Sequence, residues 1–300
     1  MSQSATSSQP GGKSGVPPAL GAYLIWGFLP LYLILVRAVP AFEFVAWRII
    51  WTLPICLVIV ALRRQGPDVR AAIADRRALG WLGVSSGLIA INWFVYVWAI
   101  QSGEVYAASL GYYINPLINV LLGTLFLGER LTRAQWAAVA IAGFGVALLA
   151  EGALTTLWIS LTLAVSFGSY GLVRKQVSVG SLPGLTIESA LLLIPSIALA
   201  GWYAATQGSA FLVSPSLSAA IVLGGFVTAI PLLLFAIAAR RMPYSTLGFF
   251  QFLAPSIVFV LGLTVFKQPL APIQAASFAC IWVAAAIFIW DLVKRSRATS

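Results

Sequence analysis

Histidine is absent from the chain, and only 8 of its 300 residues are acidic. Without histidine, a proton relay or a metal site built on imidazole is excluded. The 2 cysteines both lie within long apolar stretches, so we expect small packing residues rather than a disulfide. No glycine-rich phosphate loop and no Cys/His cluster occurs in the sequence. We therefore expect no cofactor, no bound metal and no ATP hydrolysis.

Charged residues are scarce as well, at 9% of the chain against about 25% in soluble domains. Hydrophobic residues make up 60%. About 20 consecutive apolar residues are enough to cross a bilayer as a helix, and ten solid apolar runs of about this length follow one another along the chain. The sequence therefore predicts an all-α membrane protein with ten transmembrane helices. The predicted spans are 18–37, 40–62, 79–101, 105–127, 134–150, 154–173, 184–206, 217–239, 243–266 and 270–293.

The basic residues are divided unequally between the two sides of these spans. With the N-terminus in the cytoplasm, fifteen of the 18 Lys and Arg residues fall on the cytoplasmic side, against Arg37 and Lys267 on the other. Such a bias sets the orientation of membrane proteins, so we expect both termini to be cytoplasmic. Topology thus accounts for the net charge of +10, and nucleic acid is not an expected partner.

An internal repeat relates the two halves of the chain. Pro116 and Pro255 are 139 residues apart, and the same offset without gaps matches Gly123 to Gly262. Because each unit holds five spans, an odd number, the second copy enters the membrane inverted, as in many secondary transporters. We predict two inverted five-helix repeats between two cytoplasmic tails. The boundaries are 1–17 for a disordered tail, 18–150 and 154–293 for the repeats, and 294–300 for the second tail.

Prolines and polar residues inside the spans indicate a cavity between the repeats. Proline leaves the carbonyl four residues earlier without its helical partner, so Pro116 and Pro255 are expected to break their helices at the cavity, unless they merely kink packed helices. The polar side chains suit an amphipathic organic solute, although they could also hydrogen-bond neighbouring helices. The predicted cavity residues are Trp26, Arg48, Asn92, Tyr96, Tyr112, Asn115, Tyr170 and Gln251.

Three charged residues within the predicted helices are functional candidates. Glu43 precedes Arg48 by five residues, which places it about 140° around the helix and makes it a poor partner. Arg48 therefore either pairs with another helix or offers a positive charge to a substrate carboxylate. Glu43 and Glu188 lie near the starts of their spans. Both are either solvated at the interface or coupled to protons, since a carboxylate in a low-dielectric site can hold its proton near neutral pH.

Several stretches resemble the drug/metabolite transporter superfamily, in its EamA family and most closely the RarD type. They include INWFVYVWAI, ASLGYYINPLINVLLGTLFLGERLTRAQW and VTAIPLLLFAIAARRMPYSTLGFFQFLAP, and the likeness covers residues 18–293. The resemblance implies a bacterial inner-membrane protein with two inverted repeats. It also implies transport of small organic solutes, such as amino acids, metabolites or drugs like chloramphenicol. Two positions depart from this pattern: Trp47-Arg48 stands where the RarD type has His-Arg, and Lys267-Gln268 stands where it tends to have Gly-Glu. The first change puts in doubt a coupling mechanism that uses that imidazole.

These observations together predict a secondary transporter that works by alternating access, with a small-molecule substrate and the lipid bilayer as its partners. An enzyme is not expected, because no nucleophile, metal site or carboxylate cluster marks one membrane face. A non-transporting receptor or regulator with a small-molecule cavity is the alternative. The sequence leaves the oligomeric state open, a monomer included.

Overall fold

The computed structural model describes residues 14–267 and 269–299, and within these ranges helices joined by short loops make up most of the chain. Ten segments are long and apolar enough to span a membrane, so the all-α fold with ten spans is confirmed. The helices are α1 (Val16–Leu33), α2 (Ala41–Leu62), α3 (Gly66–Ala74), α4 (Arg76–Gln101), α5 (Val105–Leu127), α6 (Arg133–Ala150), α7 (Leu157–Gln176), α8 (Ser181–Thr206), α9 (Pro215–Arg241), α10 (Tyr244–Gln251), α11 (Leu253–Thr264) and α12 (Pro272–Thr299).

The spans follow the helices in chain order, with two exceptions. The short helix α3 connects spans two and three, and α10 and α11 together form span nine. At the chain ends, α1 begins at Val16, while residues 1–13 of the predicted tail lie outside the described residues. The predicted tail 294–300 is helical as far as Thr299, because no glycine or proline ends α12 after its last apolar turn.

Span nine is divided at its proline, and span four is not. Helix α10 ends at Gln251 and α11 begins at Leu253, where Pro255 cannot donate a hydrogen bond to the Gln251 carbonyl. Helix α5 instead runs through Pro116 without a break. There α10 packs directly on α5, since a Cβ at Gly248 would lie 2.7 Å from the carbonyl oxygen of Pro116. The predicted break is therefore present at Pro255 and wrong at Pro116.

The most extensive contacts between the spans are related by one exchange, whereas the smaller contact between spans six and eight has no counterpart of similar size. Span four packs on span six and span nine on span one; spans three and six pair, and so do spans eight and one; spans two and eight pair, and so do spans seven and three. Replacing each span of one half by the span five places along leaves these pairs unchanged. The pairs five–ten, four–nine and two–seven map onto themselves. This pattern supports two equivalent halves, whose inverted orientation stays a prediction.

A buried ion pair connects spans six and seven. Arg174, near the end of α7, is fully buried, and its Nε lies 3.6 Å from Oε1 of Glu188 in α8. Its Nη2 donates to the carbonyl of Ser181 at 2.8 Å. The hydroxyl groups of Ser85 and Tyr170 donate to the two carboxylate oxygens of Glu188. The interfacial, solvated alternative for Glu188 is therefore wrong, and its guanidinium partner comes from a residue that the sequence placed at a loop.

Removing this pair's positive member is expected to destabilise the protein. Arg174→Met leaves a buried carboxylate without its counter-charge, at a cost of about 3–5 kcal/mol. We expect a lower unfolding temperature in detergent, measured by intrinsic fluorescence, and partial recovery in the double variant Arg174→Met/Glu188→Gln.

Gly184→Ala should also lower the unfolding temperature, because a Cβ there would collide with the Arg174 guanidinium. Gly201 in the same helix has open space, so Gly201→Ala is the control. Equal unfolding temperatures for all these variants would contradict the role of the pair.

Candidate functional site

A cavity of about 400 Å³ lies between the two halves of the chain. Its walls come from α1, α2, α4 and α5 of the first half and from α7, α9, α10 and α11 of the second. This volume lies within the range of small-molecule sites, about 300–1,000 Å³. Of the residues predicted at the cavity, the wall includes Trp26, Arg48, Asn92, Tyr96, Tyr112, Asn115, Gln251 and Pro255.

Two predicted residues lie outside this wall. Tyr170 is buried against Phe167 and Phe235, and its hydroxyl donates to Glu188 at 3.4 Å. It lines a separate cavity of about 10 Å³. Pro116 follows Asn115 by one residue, about 100° around the helix, which turns it from the cavity toward α10. Tyr170 and Pro116 therefore serve helix packing.

Among the described residues of the wall, Arg48 alone is charged. Its guanidinium carbon lies 4.3 Å from the centre of the Trp93 ring, a cation–π contact. Its Nε is buried without a hydrogen-bond partner. Among the described residues no carboxylate forms an ion pair with Arg48, so the structural pair considered for it is not formed. The side chain is held by a ring and keeps its charge free for the cavity.

Glu43 lies near the cavity but outside its wall, fully buried at the start of α2. Its Oε1 accepts hydrogen bonds from the indole of Trp47 at 3.0 Å, the hydroxyl of Ser209 at 3.1 Å and the backbone N–H of Ala210 at 2.8 Å. The carboxylate thus fastens the connection between α8 and α9 to α2. The solvated alternative is wrong here as well, because the carboxylate is buried and Trp47 of its own helix is one of its donors.

The amides of the wall differ in what they can offer a solute. Asn92 donates to the carbonyl of Leu163 at 2.8 Å and to the hydroxyl of Ser166 at 3.0 Å. The side-chain oxygen of Gln251 accepts from Asn119 at 2.7 Å. Both amides therefore hydrogen-bond neighbouring helices. Asn115 is different, because its Oδ1 is buried and has no partner.

The cavity extends toward one side of the spans. Because consecutive spans alternate in direction, the described ends of the chain share one side, named here the terminal side, with the connections after α2, α5, α7 and α9. The wall includes Leu33, Ala41, Ile100 and Ser109, which lie near the opposite ends of their helices. Toward the terminal side, packed side chains fill the space beneath Trp26. These fully buried residues are Tyr23, Tyr170, Phe235, Tyr244 and Leu247.

Hydrogen bonds hold this closure from three helices. The hydroxyl of Tyr244 donates to the carbonyl of Gly168 at 2.6 Å, and that of Tyr23 to the carbonyl of Leu247 at 3.4 Å. Gly171 admits the Tyr244 hydroxyl, which a Cβ there would contact. Spans one, six and nine are thereby joined on the terminal side of the cavity.

A carboxylate outside the spans caps the helix that carries Tyr244. Gly128 ends α5 with φ of 66°, in the left-handed conformation that glycine favours, and the chain then turns to Glu129. Glu129 accepts from the backbone N–H of Tyr244 at 2.5 Å, from that of Ser245 at 2.8 Å and from the Ser245 hydroxyl at 2.6 Å. Anions are stabilised at helix N-termini, so this contact fixes the start of α10.

Two basic residues of the terminal side also fasten helix ends. Lys175 donates to the carbonyls of Ala239 and Met242 at 2.8 and 2.6 Å. Arg240 donates to the carbonyls of Val177 and Val179 at 2.8 and 2.6 Å. The sequence indicated these residues only as markers of orientation. In the structure they tie the end of α7 to the end of α9.

Sequence reasoning missed Trp93 and Glu129. Trp93 precedes Tyr96 by three residues, so helical spacing places both on one face of α4, and that signal was available. Glu129 belongs to a Gly-Glu-Arg turn whose partner lies 115 residues later in the chain. No local pattern predicts that contact.

Comparisons with known proteins give one consistent family. Residues 13–150 match the EamA-like transporter family. Protein RarD of Streptomyces exfoliatus is 40% identical over 288 residues, which cover 95% of this chain and 91% of the relative. Protein RarD of Escherichia coli (strain K12) is 40% identical over 292 residues, covering 96% and 98%. Chloramphenicol-sensitive protein RarD of Pseudomonas aeruginosa is 30% identical over 289 residues, covering 94% and 96%.

A solved crystal structure shares the fold. It has a TM-score of 0.72 at 22% identity, over 91% of this chain and 96% of that chain. Ten apolar helices and relatives named as RarD proteins agree on a multi-pass bacterial membrane protein. The chain therefore belongs to the EamA-like transporter family, as a RarD-type member of the drug/metabolite transporters.

Proposed function

We propose that the protein is a secondary transporter that moves small organic solutes across the bacterial inner membrane by alternating access. Amino acids, metabolites and drugs like chloramphenicol are the solutes to test, the last because of the name of the Pseudomonas aeruginosa relative. The observation that carries the proposal is a solute-sized cavity between the two halves that extends toward one side and is packed shut on the other. Membership of a transporter family supports it.

Alternating access requires that the closure can form on either side. At the repeat offset, Tyr244 and Ser245, which Glu129 caps, correspond to Val105 and Tyr106 at the start of α5. Position 268, the counterpart of Glu129, is a glutamine outside the described residues. An equivalent cap at the start of α5 would close the cavity from the opposite side. The repeat thus indicates which helix end would form the closure in a conformation that opens toward the terminal side.

The distribution of basic residues supports the orientation. Most Lys and Arg residues belong to the terminal side, which the positive-inside rule assigns to the cytoplasm. Both termini are then cytoplasmic, and the cavity faces the exterior in this conformation. A label added to either side of oriented cells would test this assignment.

Proton coupling through Glu43 or Glu188 remains part of the proposal. Neither carboxylate lines the cavity, although Glu188 lines the 10 Å³ space behind Trp93, a residue of both walls. Glu43 contacts the connection between α8 and α9 instead. A change of protonation would therefore act on the walls rather than on the solute.

Filling the cavity is expected to abolish transport. Ala254 lies in the wall, so Ala254→Trp should lower saturable uptake of chloramphenicol and radiolabelled amino acids into proteoliposomes by at least tenfold. Ala140, which faces outward on α6, provides the matched control Ala140→Trp. Equal uptake by the two variants would contradict the cavity as the route. Saturable binding without any flux would favour the receptor alternative.

Neutralising Glu129 is expected to loosen the closed side. Glu129→Gln weakens three charge-assisted hydrogen bonds, each worth about 1.5–3 kcal/mol. In a background free of Cys56 and Cys280, we expect Thr246→Cys to react at least tenfold faster with a small charged thiol reagent added from the terminal side. Glu151→Gln, an exposed carboxylate at the opposite side, is the control. Unchanged labelling rates would show that the cap does not hold the closure.

A further inference from the structure

The cavity has a positive charge without a counter-charge. Arg48 remains cationic because guanidinium is not deprotonated in proteins. The described wall contains no carboxylate. Glu188, behind Trp93, is already paired with Arg174, and Glu43 accepts its hydrogen bonds from Trp47 and the connection after α8. A buried charge without a partner is costly, so an anion bound beside Arg48 would stabilise the site.

The guanidinium is held in a way that leaves its donors available. The Trp93 ring covers one face at 4.3 Å, and a cation–π contact of this kind fixes the plane of the group. Its Nε is buried without a partner among the described residues, so the two terminal nitrogens are the donors that can reach a solute. Tyr32, Tyr96 and Tyr112 line the same cavity as Arg48. A planar fork of free N–H groups matches a carboxylate, which accepts two parallel hydrogen bonds.

The remainder of the wall offers no comparable site for a cation. Asn115 Oδ1 is a buried acceptor without a partner, but a neutral amide cannot balance a full positive charge. Gln251 and Asn92 already bond to neighbouring helices. The ammonium of a zwitterion would therefore be desolvated against neutral oxygens and repelled by Arg48. A solute that carries the carboxylate alone avoids this cost.

Aromatic rings provide a place for an apolar body beside the charge. Tyr96 and Tyr112 meet edge to face with ring centres 5.7 Å apart, and Trp26 and Phe167 meet in the same way at 5.7 Å. All four line the cavity. Flat apolar groups pack well against such edges and faces. The volume of about 400 Å³ accommodates one small ring compound.

We propose that this cavity selects an organic anion: a monocarboxylate with an aromatic or similarly flat body and no ammonium group, bound through Arg48. The inference rests on the proposed function, because it assigns the solute class of the same cavity. The selection is against zwitterions and cations as much as for the carboxylate.

Probes that share one phenyl skeleton test the charge rule directly. Equilibrium binding to the purified full chain in detergent is measured by calorimetry at neutral pH for 3-phenylpropanoate (anion), phenylalanine (zwitterion), 3-phenylpropanamide (neutral) and phenethylamine (cation). We expect 3-phenylpropanoate to bind at least tenfold more tightly than each of the other three. Equal or tighter binding of phenylalanine or phenethylamine, or no binding of any probe, would overturn the proposal.

Variants of Arg48 locate the selection. Arg48→Met should raise the Kd of 3-phenylpropanoate at least tenfold and remove its preference over 3-phenylpropanamide. Arg48→Lys keeps the charge but loses the planar fork, so its Kd for 3-phenylpropanoate should lie between those of the wild type and Arg48→Met. Arg37→Met, an exposed arginine at the opposite side, should leave all Kd values unchanged. If Arg48→Met folds and still prefers 3-phenylpropanoate over 3-phenylpropanamide as strongly as the wild type, the proposal is overturned. If Arg48→Met does not fold, the same result for Arg48→Lys, with Kd values no different from those of the Arg37→Met control, overturns it.

The same experiment separates this proposal from the proposed function. If phenylalanine binds best and Ala254→Trp abolishes its binding, the cavity is still a solute site and only the anion rule fails. If Ala254→Trp leaves both probe binding and solute uptake intact, the transport route through the cavity fails as well. Anion-selective binding that Ala254→Trp and Arg48→Met both remove supports the two together.

Discussion

The need to give every buried charge a partner inside the protein organises this structure. Lipid cannot solvate ionised groups, so each must be satisfied by other protein groups or by a wet cavity. Glu188 is satisfied by Arg174 and two hydroxyl groups. Oε1 of Glu43 accepts from an indole, a hydroxyl and a backbone N–H, while its Oε2 is buried without a hydrogen-bond partner. Arg48 has neither a carboxylate partner nor a hydrogen bond to its Nε among the described residues, and it lines the cavity between the two halves. A bound solute with a negative charge would occupy the cavity and supply the counter-charge that Arg48 lacks.

The need for hydrogen-bond partners also explains why the two prolines of the repeat have different effects on their helices. Each removes one backbone donor from its helix. At Pro116 the surrounding contact is tight, with α10 packed on the carbonyl, and the helix continues. At Pro255 the residue itself lines the cavity, and the helix divides one turn earlier. A helix interruption is tolerated where it borders a cavity rather than lipid. Equivalent sequence therefore produces different backbone, according to what lies beside it.

The sequence predicted local properties well and long-range partners poorly. Ten spans follow from apolar run length, and their bounds agree with the helices to within a few residues. Seven of the eight cavity residues line the observed space, because stripes of polar residues identify the inward face of a helix. The prediction for Tyr170 was wrong because this side chain faces α8. The spacing of residues along α7 does not reveal where α8 packs. The burial of Arg174 was not predicted, because it stands beside Lys175 at a helix end. Sequence alone does not distinguish a basic residue that is exposed in a loop from one that is buried there.

Symmetry of the scaffold and asymmetry of its charges have different consequences. At the spacing that relates Glu43 to Glu188, Arg48 corresponds to Leu193. The two glutamates occupy equivalent positions but are satisfied by unrelated groups, one by a connection between helices and the other by an arginine. The most extensive contacts between spans are related by exchange of the halves, which agrees with the proposed alternation between two closed arrangements. Arg48, the charged residue of the described cavity wall, belongs to α2 of one half. If the halves alternate as we propose, a carboxylate bound to Arg48 would stay on that half while the other rearranges around it. The repeated scaffold would then provide the motion, and the unpaired charge would select the solute.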